Sequence, residues 1–242
     1  MGKSLAMCMS LLRVLLRVFG VRSQAVEIEP GTVVHFWAPV ENPSKTTIHN
    51  EAKRKPAVVF LHDLLFFGGS ATDSTERSPA FQAEFMAKGL KKLGVEKCTL
   101  VGLSYGGMVG FKMAEMYPDL VDSMVSFAPS SPWRCLIFLY RDIFQDMFIN
   151  YKKERVELLE ALVVKDKDFD IPNYPQAQRI HLLWGEEDVI FTKEIARNLK
   201  EKLLEGKATL HNVEKAGHVV QLERPWAYNR QLKKILASLH AN

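Results

Sequence analysis

Hydrophobic and polar positions along the 242-residue chain follow two alternating patterns. AVVFLH at 57–62, a continuous apolar run, suits a strand covered on both faces; CTLVGLS at 98–104 reads as the next buried strand, and SMVSFA at 123–128 and RIHLLWG at 179–185 as further strands. ATLHNV at 208–213 reads as a further strand. AVEIE at 25–29 and TVVHFWAPV at 32–40, joined at Pro30 and Gly31, read as a hairpin. Segments of helical period lie between. Ser78 and Pro79 open a helix with Phe81 and Phe85 one turn apart, and Gly94 closes it. A second helix runs from Tyr105 to Tyr117 and stops before Pro118. TKEIARNLKEKL and PWAYNRQLKKILASL supply two more, with Thr192 and Pro225 as capping residues. Such alternation predicts an α/β protein with a mostly parallel, doubly wound sheet and helices on both faces.

Two stretches stand outside the alternation. Between SMVSFA and RIHLLWG, residues 129–178 form an insertion in which Leu136, Tyr140, Ile143, Met147 and Tyr151 fall at helical spacing, with Ile137, Phe144 and Phe148 beside them. So broad a stripe reads first as core packing. The following YKKERVELLEALVVKD predicts a helix with a stripe of Val156, Leu159, Leu162 and Val163 and a solvated face. The N-terminal residues 1–24 read as an amphipathic helix, with Arg13 and Arg17 four apart among leucines and no acidic residue before Glu27. Packing on its own domain is the first reading of that helix, and a transit peptide or peripheral membrane contact is the second. The two arginines argue against a secretory signal, which needs an uninterrupted apolar stretch.

Composition narrows the class. An apolar content of 47% over this length supports a single core. A net charge of +4 without a long basic run points away from nucleic acid. Cys8, Cys98 and Cys135 are few, odd in number and widely spaced, which fits reduced thiols, argues against a disulfide scaffold and gives no metal-ligand spacing. A reducing, cytoplasmic location is expected, with organelle targeting or a membrane-peripheral location as alternatives.

The chemistry begins at Gly102-Leu103-Ser104-Tyr105-Gly106. A serine on a strained strand-to-helix turn needs small residues two positions to either side, and its context here is a strand followed by a helix. The hydroxyl needs a base, and the base needs an acid to hold its tautomer. Asp188 follows RIHLLWG, and His218 follows ATLHNV, so each stands past the carboxyl end of a strand. Glu186 and Glu187 are alternatives for the acid. His181 and His211, within strand patterns, are alternatives for the base, and position favours His218.

GLSYGG, LLWGEED and AGHVVQLERP together resemble the nucleophile, acid and histidine segments of the α/β-hydrolase fold family. The resemblance runs from the TVVHFW hairpin to the last helix. Within the family the chain is similar to cap-bearing serine hydrolases of plant type, relatives of carbon–carbon bond hydrolases, monoacylglycerol lipases and epoxide hydrolases. Epoxide hydrolases carry aspartate at the elbow, so Ser104 points to ester or acyl chemistry. The resemblance implies a core of residues 25–128 and 179–242, with 129–178 as a short helical cap. It also implies a Ser104–His218–Asp188 triad acting on a small apolar ester or acyl substrate without metal or organic cofactor. Phe144 and Phe148 become candidate substrate contacts.

One stretch departs from that pattern. In the family, a strand ending in His is followed by a glycine loop that gives an oxyanion donor, then a helix, then a strand ending in an Asp-containing turn. In VVFLHDLLFFGGS, His62 joins Asp63 directly, which implies that the loop, helix and strand are absent. Tyr105 supplies one backbone donor, and the second falls to Leu64. A binding protein of slow or no turnover on the same fold is therefore the alternative function. For folding, VVFLH must stay beside CTLVG and leave the hairpin unpaired, leave CTLVG exposed, or pair with the hairpin itself.

Overall fold

The computed structural model describes residues 13–40, 57–62, 65–66, 69–103, 105–127, 151–162, 174–175, 178–189, 192–203, 208–217 and 220–241. Its strands are β1 (Val21–Glu29), β2 (Thr32–Pro39), β3 (Ala57–Leu61), β4 (Ala71–Thr72), β5 (Cys98–Leu103), β6 (Val121–Phe127), β7 (Arg179–Gly185) and β8 (Thr209–Val213). Its helices are α1 (Pro79–Lys92), α2 (Tyr105–Met116), α3 (Lys152–Leu162), α4 (Lys193–Lys202), α5 (Val220–Glu223) and α6 (Pro225–Leu239).

The strands β3, β5, β6, β7 and β8 form one parallel sheet in the order β3-β5-β6-β7-β8. Successive side chains of a strand point to opposite faces, so a run without polar positions must be covered on both. One face carries Leu61, Leu100, Met124 and Leu182, which pack in the same cluster as Phe85 of α1 and Val109 and Met113 of α2. The other carries Val101, Val125 and Leu183, which pack with Leu232, Ile235 and Leu239 of α6. The Ser78 hydroxyl accepts from the Phe81 amide at 3.2 Å, capping α1 as its sequence predicts. Thr192 holds the N-cap backbone of α4 without a side-chain bond, and Pro225 stands in the first turn of α6. The short α5 has no signal in the apolar pattern.

The hairpin forms a second, antiparallel sheet in the order β1-β2-β4. β1 starts at Val21, earlier than AVEIE implies, because Val21–Gln24 find partners in Pro39–Phe36. Its third strand is only Ala71–Thr72. Side chains reinforce that short pairing. The Thr32 and Thr72 hydroxyls meet at 2.7 Å, and the Ser70 hydroxyl accepts from the His35 amide at 3.1 Å. Among the described residues no strand pairing joins the two sheets. VVFLH thus stays beside CTLVG, and the hairpin takes Ala71–Thr72 as its partner. The sheets meet through side chains, with Ile28 and Val34 in the same cluster as Leu61.

The edge strand β3 is incompletely covered. Phe60 is 64% exposed, whereas Val101, opposite it on β5, is 2% exposed. Most of the insertion, including Leu136, Tyr140, Phe144 and Phe148, lies outside the described residues. Its helix α3 differs from the expected stripe: Val156 is exposed, and Arg155 and Leu158 are buried. The physical reason is a carbonyl that the arginine reaches, described below.

Candidate functional site

Parallel strands bring their carboxyl ends to one edge of the sheet, and β5, β7 and β8 end there at Leu103, Gly185 and Val213. Residue 104 alone separates β5 from α2. A methyl group on Gly102 would stand 2.7 Å from the Gly107 Cα, and one on Gly106 would stand 2.3 Å from the Leu61 carbonyl oxygen. Any side chain at either position would force α2 away from the sheet. The strand before and the helix after residue 104 are present as the GLSYG pattern predicts. Ser104 itself lies outside the described residues, as do His218, Leu64, Phe144 and Phe148.

The acid loop is held by backbone bonds. The Asp188 amide donates to the Gly185 carbonyl at 3.3 Å, and Asp188 is buried at 6% exposure. The Glu186 amide donates to the Val213 carbonyl at 3.1 Å and the Glu187 amide to the Ala216 carbonyl at 2.8 Å. These two bonds bind the loop after β7 to the loop after β8. A methyl group on Gly185 would stand 1.8 Å from the Gly217 carbonyl oxygen, so only glycine permits this approach. The Gly217 amide in turn donates to the Glu223 carboxylate at 2.7 Å. Asp188 is thus fixed beside the segment that leads into residue 218.

The other acid and base alternatives fare differently. Glu187 is exposed, and Glu186 pairs with Lys193 at 3.5 Å. His181 and His211 bond to each other, Nδ1 to Nε2 at 2.9 Å, with the Gln231 amide 2.8 Å from the second ring. Burial pulls the His181 pKa down to about 4, aided by the neighbouring His211 and Arg179, and burial lowers His211 as well. Both rings are thereby held neutral within the strands.

Beside the elbow, Tyr105 is the first residue of α2. Burial raises its phenol above the ordinary tyrosine range, partly offset by a hydrogen bond from Gln82. The Gln82 amide is 1% exposed, donates from Nε2 to the Tyr105 hydroxyl, and accepts at Oε1 from the Leu65 amide at 3.4 Å. It therefore connects Tyr105, the first residue of α2, to the stretch that follows His62. Sequence reasoning passes over Gln82, which sits in helical period like any polar position.

That stretch is clamped from the insertion. Phe66 has a left-handed backbone, φ 65°, at a cost of about 1–3 kcal/mol for a residue with a Cβ. Its amide donates to the Ser70 carbonyl at 2.8 Å, and its carbonyl accepts from Arg155 Nε and Nη2 at 3.1 and 2.6 Å. The Tyr151 ring lies 5.4 Å from the Phe66 ring, and the Arg77 guanidinium stands 4.9 Å over it. Arg77 also donates to Glu157 at 3.0 Å. Helix α3 is thus fastened to the turn after β3 by Arg155, and by Glu157 to Arg77, just before α1. Within a run as charged as KKERVELLE, nothing singles out the arginine that is buried.

No group of three or more His, Cys, Asp or Glu side chains gathers as a metal site among the described residues. Cys98 is buried, and desolvation pushes its thiol up to about 12, so it stands apart from nucleophilic chemistry.

A family profile described as alpha/beta hydrolase fold matches residues 49–148. A search of curated proteins finds no significant match. Similar solved structures include a bacterial membrane phospholipase A, at 17% identity and TM-score 0.71, with 98% of this chain and 91% of that one covered. A carboxylesterase from Bacillus subtilis is 17% identical, with TM-score 0.68 and 98% of both chains covered. A 2-hydroxy-6-oxo-6-phenylhexa-2,4-dienoate hydrolase from Rhodococcus sp. is 16% identical, with TM-score 0.65, covering 88% of this chain and 98% of that one. What these share with the chain at such identities is the path of the backbone.

Proposed function

The chain has the α/β-hydrolase fold, and from that premise we propose that it is a serine hydrolase of carboxylic esters or related apolar acyl substrates. The observation that supports this most is the pair of backbone bonds from Glu186 and Glu187 to Val213 and Ala216, which hold the acid loop against the histidine loop. Both loops lie at the strand edge that also carries the glycine-flanked elbow.

In this reading Ser104 Oγ attacks the substrate carbonyl while His218 takes its proton. Asp188 orients the imidazole and stabilises its cation. His218 then protonates the departing alcohol, leaving an acyl-enzyme on Ser104. Water, deprotonated by His218, attacks that ester and releases the acid. The Tyr105 amide, and that of Leu64, donate to the oxyanion that forms at each attack. Phe144 and Phe148 bind the acyl group, so Phe144→Ala with Phe148→Ala lowers turnover of octanoyl esters more than of acetyl esters. Equal losses on both would instead mark core damage.

The test of the whole is labelling by an alkyl fluorophosphonate. Expected is one label per chain, absent from Ser104→Ala, and loss of esterase activity in His218→Ala nearly as large as in Ser104→Ala. Label retained in Ser104→Ala would refute the assignment. The direct join of His62 to Asp63 favours a second reading, a ligand-binding protein of slow turnover. That reading predicts saturable binding of apolar acyl compounds with labelling slower than hydrolases of intact loop by 10²-fold or more, about the cost of one lost oxyanion donor.

A further inference from the structure

Residues 13–18 are helical and end in a turn at Phe19 and Gly20. The Phe19 amide donates to the Leu15 carbonyl at 3.0 Å and the Gly20 amide to that of Arg17 at 2.9 Å. Gly20, with φ 75°, reverses the chain directly into β1, and its own carbonyl accepts from the Val40 amide at 2.8 Å. The helix is therefore fixed to the open end of the hairpin rather than joined by a slack linker. Leu16 is half-buried, but the other apolar side chains are largely uncovered: Val14 is 52% exposed, Leu15 46%, Val18 75% and Phe19 78%. Trp37 and Val40, on the adjoining strand end, are each 44% exposed.

At 100° per residue, Val14, Leu15 and Val18 fall within one sector of the helix, and Arg13 and Arg17 fall together on another. Both arginines are exposed, and so is Arg22 just beyond. No acidic residue precedes Glu27 in the sequence, and among the described residues no ion pair is formed by Arg13, Arg17 or Arg22. Uncovered apolar side chains flanked by exposed cations, with an exposed Trp at the margin, match an interface that is apolar inside and anionic at its surface. Among the described residues no helix is long and apolar enough to cross a membrane, which fits a helix lying in the interface plane.

We propose that the helix at residues 13–18, with Phe19, is a docking element for the surface of an anionic lipid bilayer. Arg13, Arg17 and Arg22 meet the headgroups, and Val14, Leu15, Val18 and Phe19 enter the acyl boundary. A protein partner would need carboxylates set around an apolar groove, whereas a bilayer supplies both at once. The proposal stands apart from the assigned chemistry, since none of these residues belongs to the candidate site.

The experiment is flotation of the full chain with vesicles of phosphatidylcholine alone and with 30% phosphatidylserine, an amount on the order of an anionic leaflet. Expected is binding to the anionic vesicles only, weakened at least tenfold by Arg13→Glu with Arg17→Glu and by 0.5 M salt, since each basic residue near the surface contributes roughly a fivefold factor. Val18→Ser with Phe19→Ser is expected to weaken binding as much while leaving melting temperature and fluorophosphonate labelling unchanged. Absence of binding to anionic vesicles overturns the proposal, as does binding that survives both double variants. Dimerisation abolished by Val18→Ser with Phe19→Ser, without lipid binding, would overturn it in favour of a second copy of the chain.

Discussion

The Gln82 side-chain amide spans the Tyr105 hydroxyl and the Leu65 backbone amide, so one buried group holds both sides of the expected oxyanion site. Replacing it with methionine leaves two buried polar groups without their partner, at about 1–3 kcal/mol. Gln82 is here a positioning residue. Gln82→Met and Tyr105→Phe should each lower kcat for a short ester roughly tenfold with KM little changed, because the donors are displaced rather than removed. The double variant should lose little more than either alone. Equal kcat in wild type and Gln82→Met, at lowered melting temperature, would assign the residue to stability only.

Gly185→Ala should be among the most damaging small substitutions in the chain. Its methyl group would meet the Gly217 carbonyl oxygen at 1.8 Å, so the two loops must separate. A loss of about 3 kcal/mol, at the upper end for overpacking, is expected in urea unfolding. Activity should fall further than the residual folded fraction explains, since Asp188 moves with the loop. Activity that simply tracks folded fraction would show that the loops can part without harm.

Arg155→Met should loosen α3 from the turn after β3. The guanidinium makes two bonds to the Phe66 carbonyl, and bonds to a charged group contribute roughly 1.5–3 kcal/mol. Val156→Ser, at an exposed neighbour, should cost less than about 0.5 kcal/mol. Limited proteolysis between 151 and 162 tests both: faster cleavage is expected in Arg155→Met and no change in Val156→Ser.

The stacked pair His181 and His211 should make the fold sensitive to acid. Both rings have a lower pKa in the folded chain than the ordinary value near 6.5, so the unfolded chain binds more protons. Their contribution is full above pH 6.5 and is lost as pH falls toward about 4, the folded value of His181. His181→Val with His211→Val should flatten the decline in melting temperature between pH 7 and 4.5. An unchanged slope would place the acid sensitivity elsewhere.

The uncovered Phe60 bears on the join at His62–Asp63. A glycine loop, helix and strand inserted there would give β3 a neighbour and cover Phe60, which is 64% exposed. The repaired chain is expected to melt higher and to label faster with fluorophosphonate. A repaired chain no better in either respect would mean that the present arrangement is already sufficient.

Much of this was legible in the sequence, and the limits have physical causes. Strands such as CTLVG and RIHLLWG declare themselves as short apolar-rich runs, although Thr99, Arg179 and His181 interrupt them. The strand-to-helix passage at 103–105 is legible because Gly102 and Gly106 stand where backbone crowding requires them, and the position of Asp188 past β7 because strand ends fall at turns. The partner strand Ala71–Thr72 was not, since two residues carry no period. Nor were Gln82 and Arg155, whose roles depend on a backbone amide and a carbonyl that no pattern of side chains reveals. The closeness of Gly185 to Gly217 is likewise a contact between distant segments, visible only once the sheet brings them together.

The division into two sheets has a consequence for how the molecule opens. Strands joined by a ladder share their amide bonds and must part together, whereas β1, β2 and β4 meet the five-stranded sheet through side chains alone among the described residues. The hairpin can therefore detach as a unit, breaking its contacts with α1 while every bond of the parallel sheet stays closed. In deuterated water the amides of Val26 and Val34 should exchange together and well before those of Leu100 and Met124. Because the N-terminal helix is carried on that hairpin, whatever holds the helix in place also slows the exchange of the strands behind it.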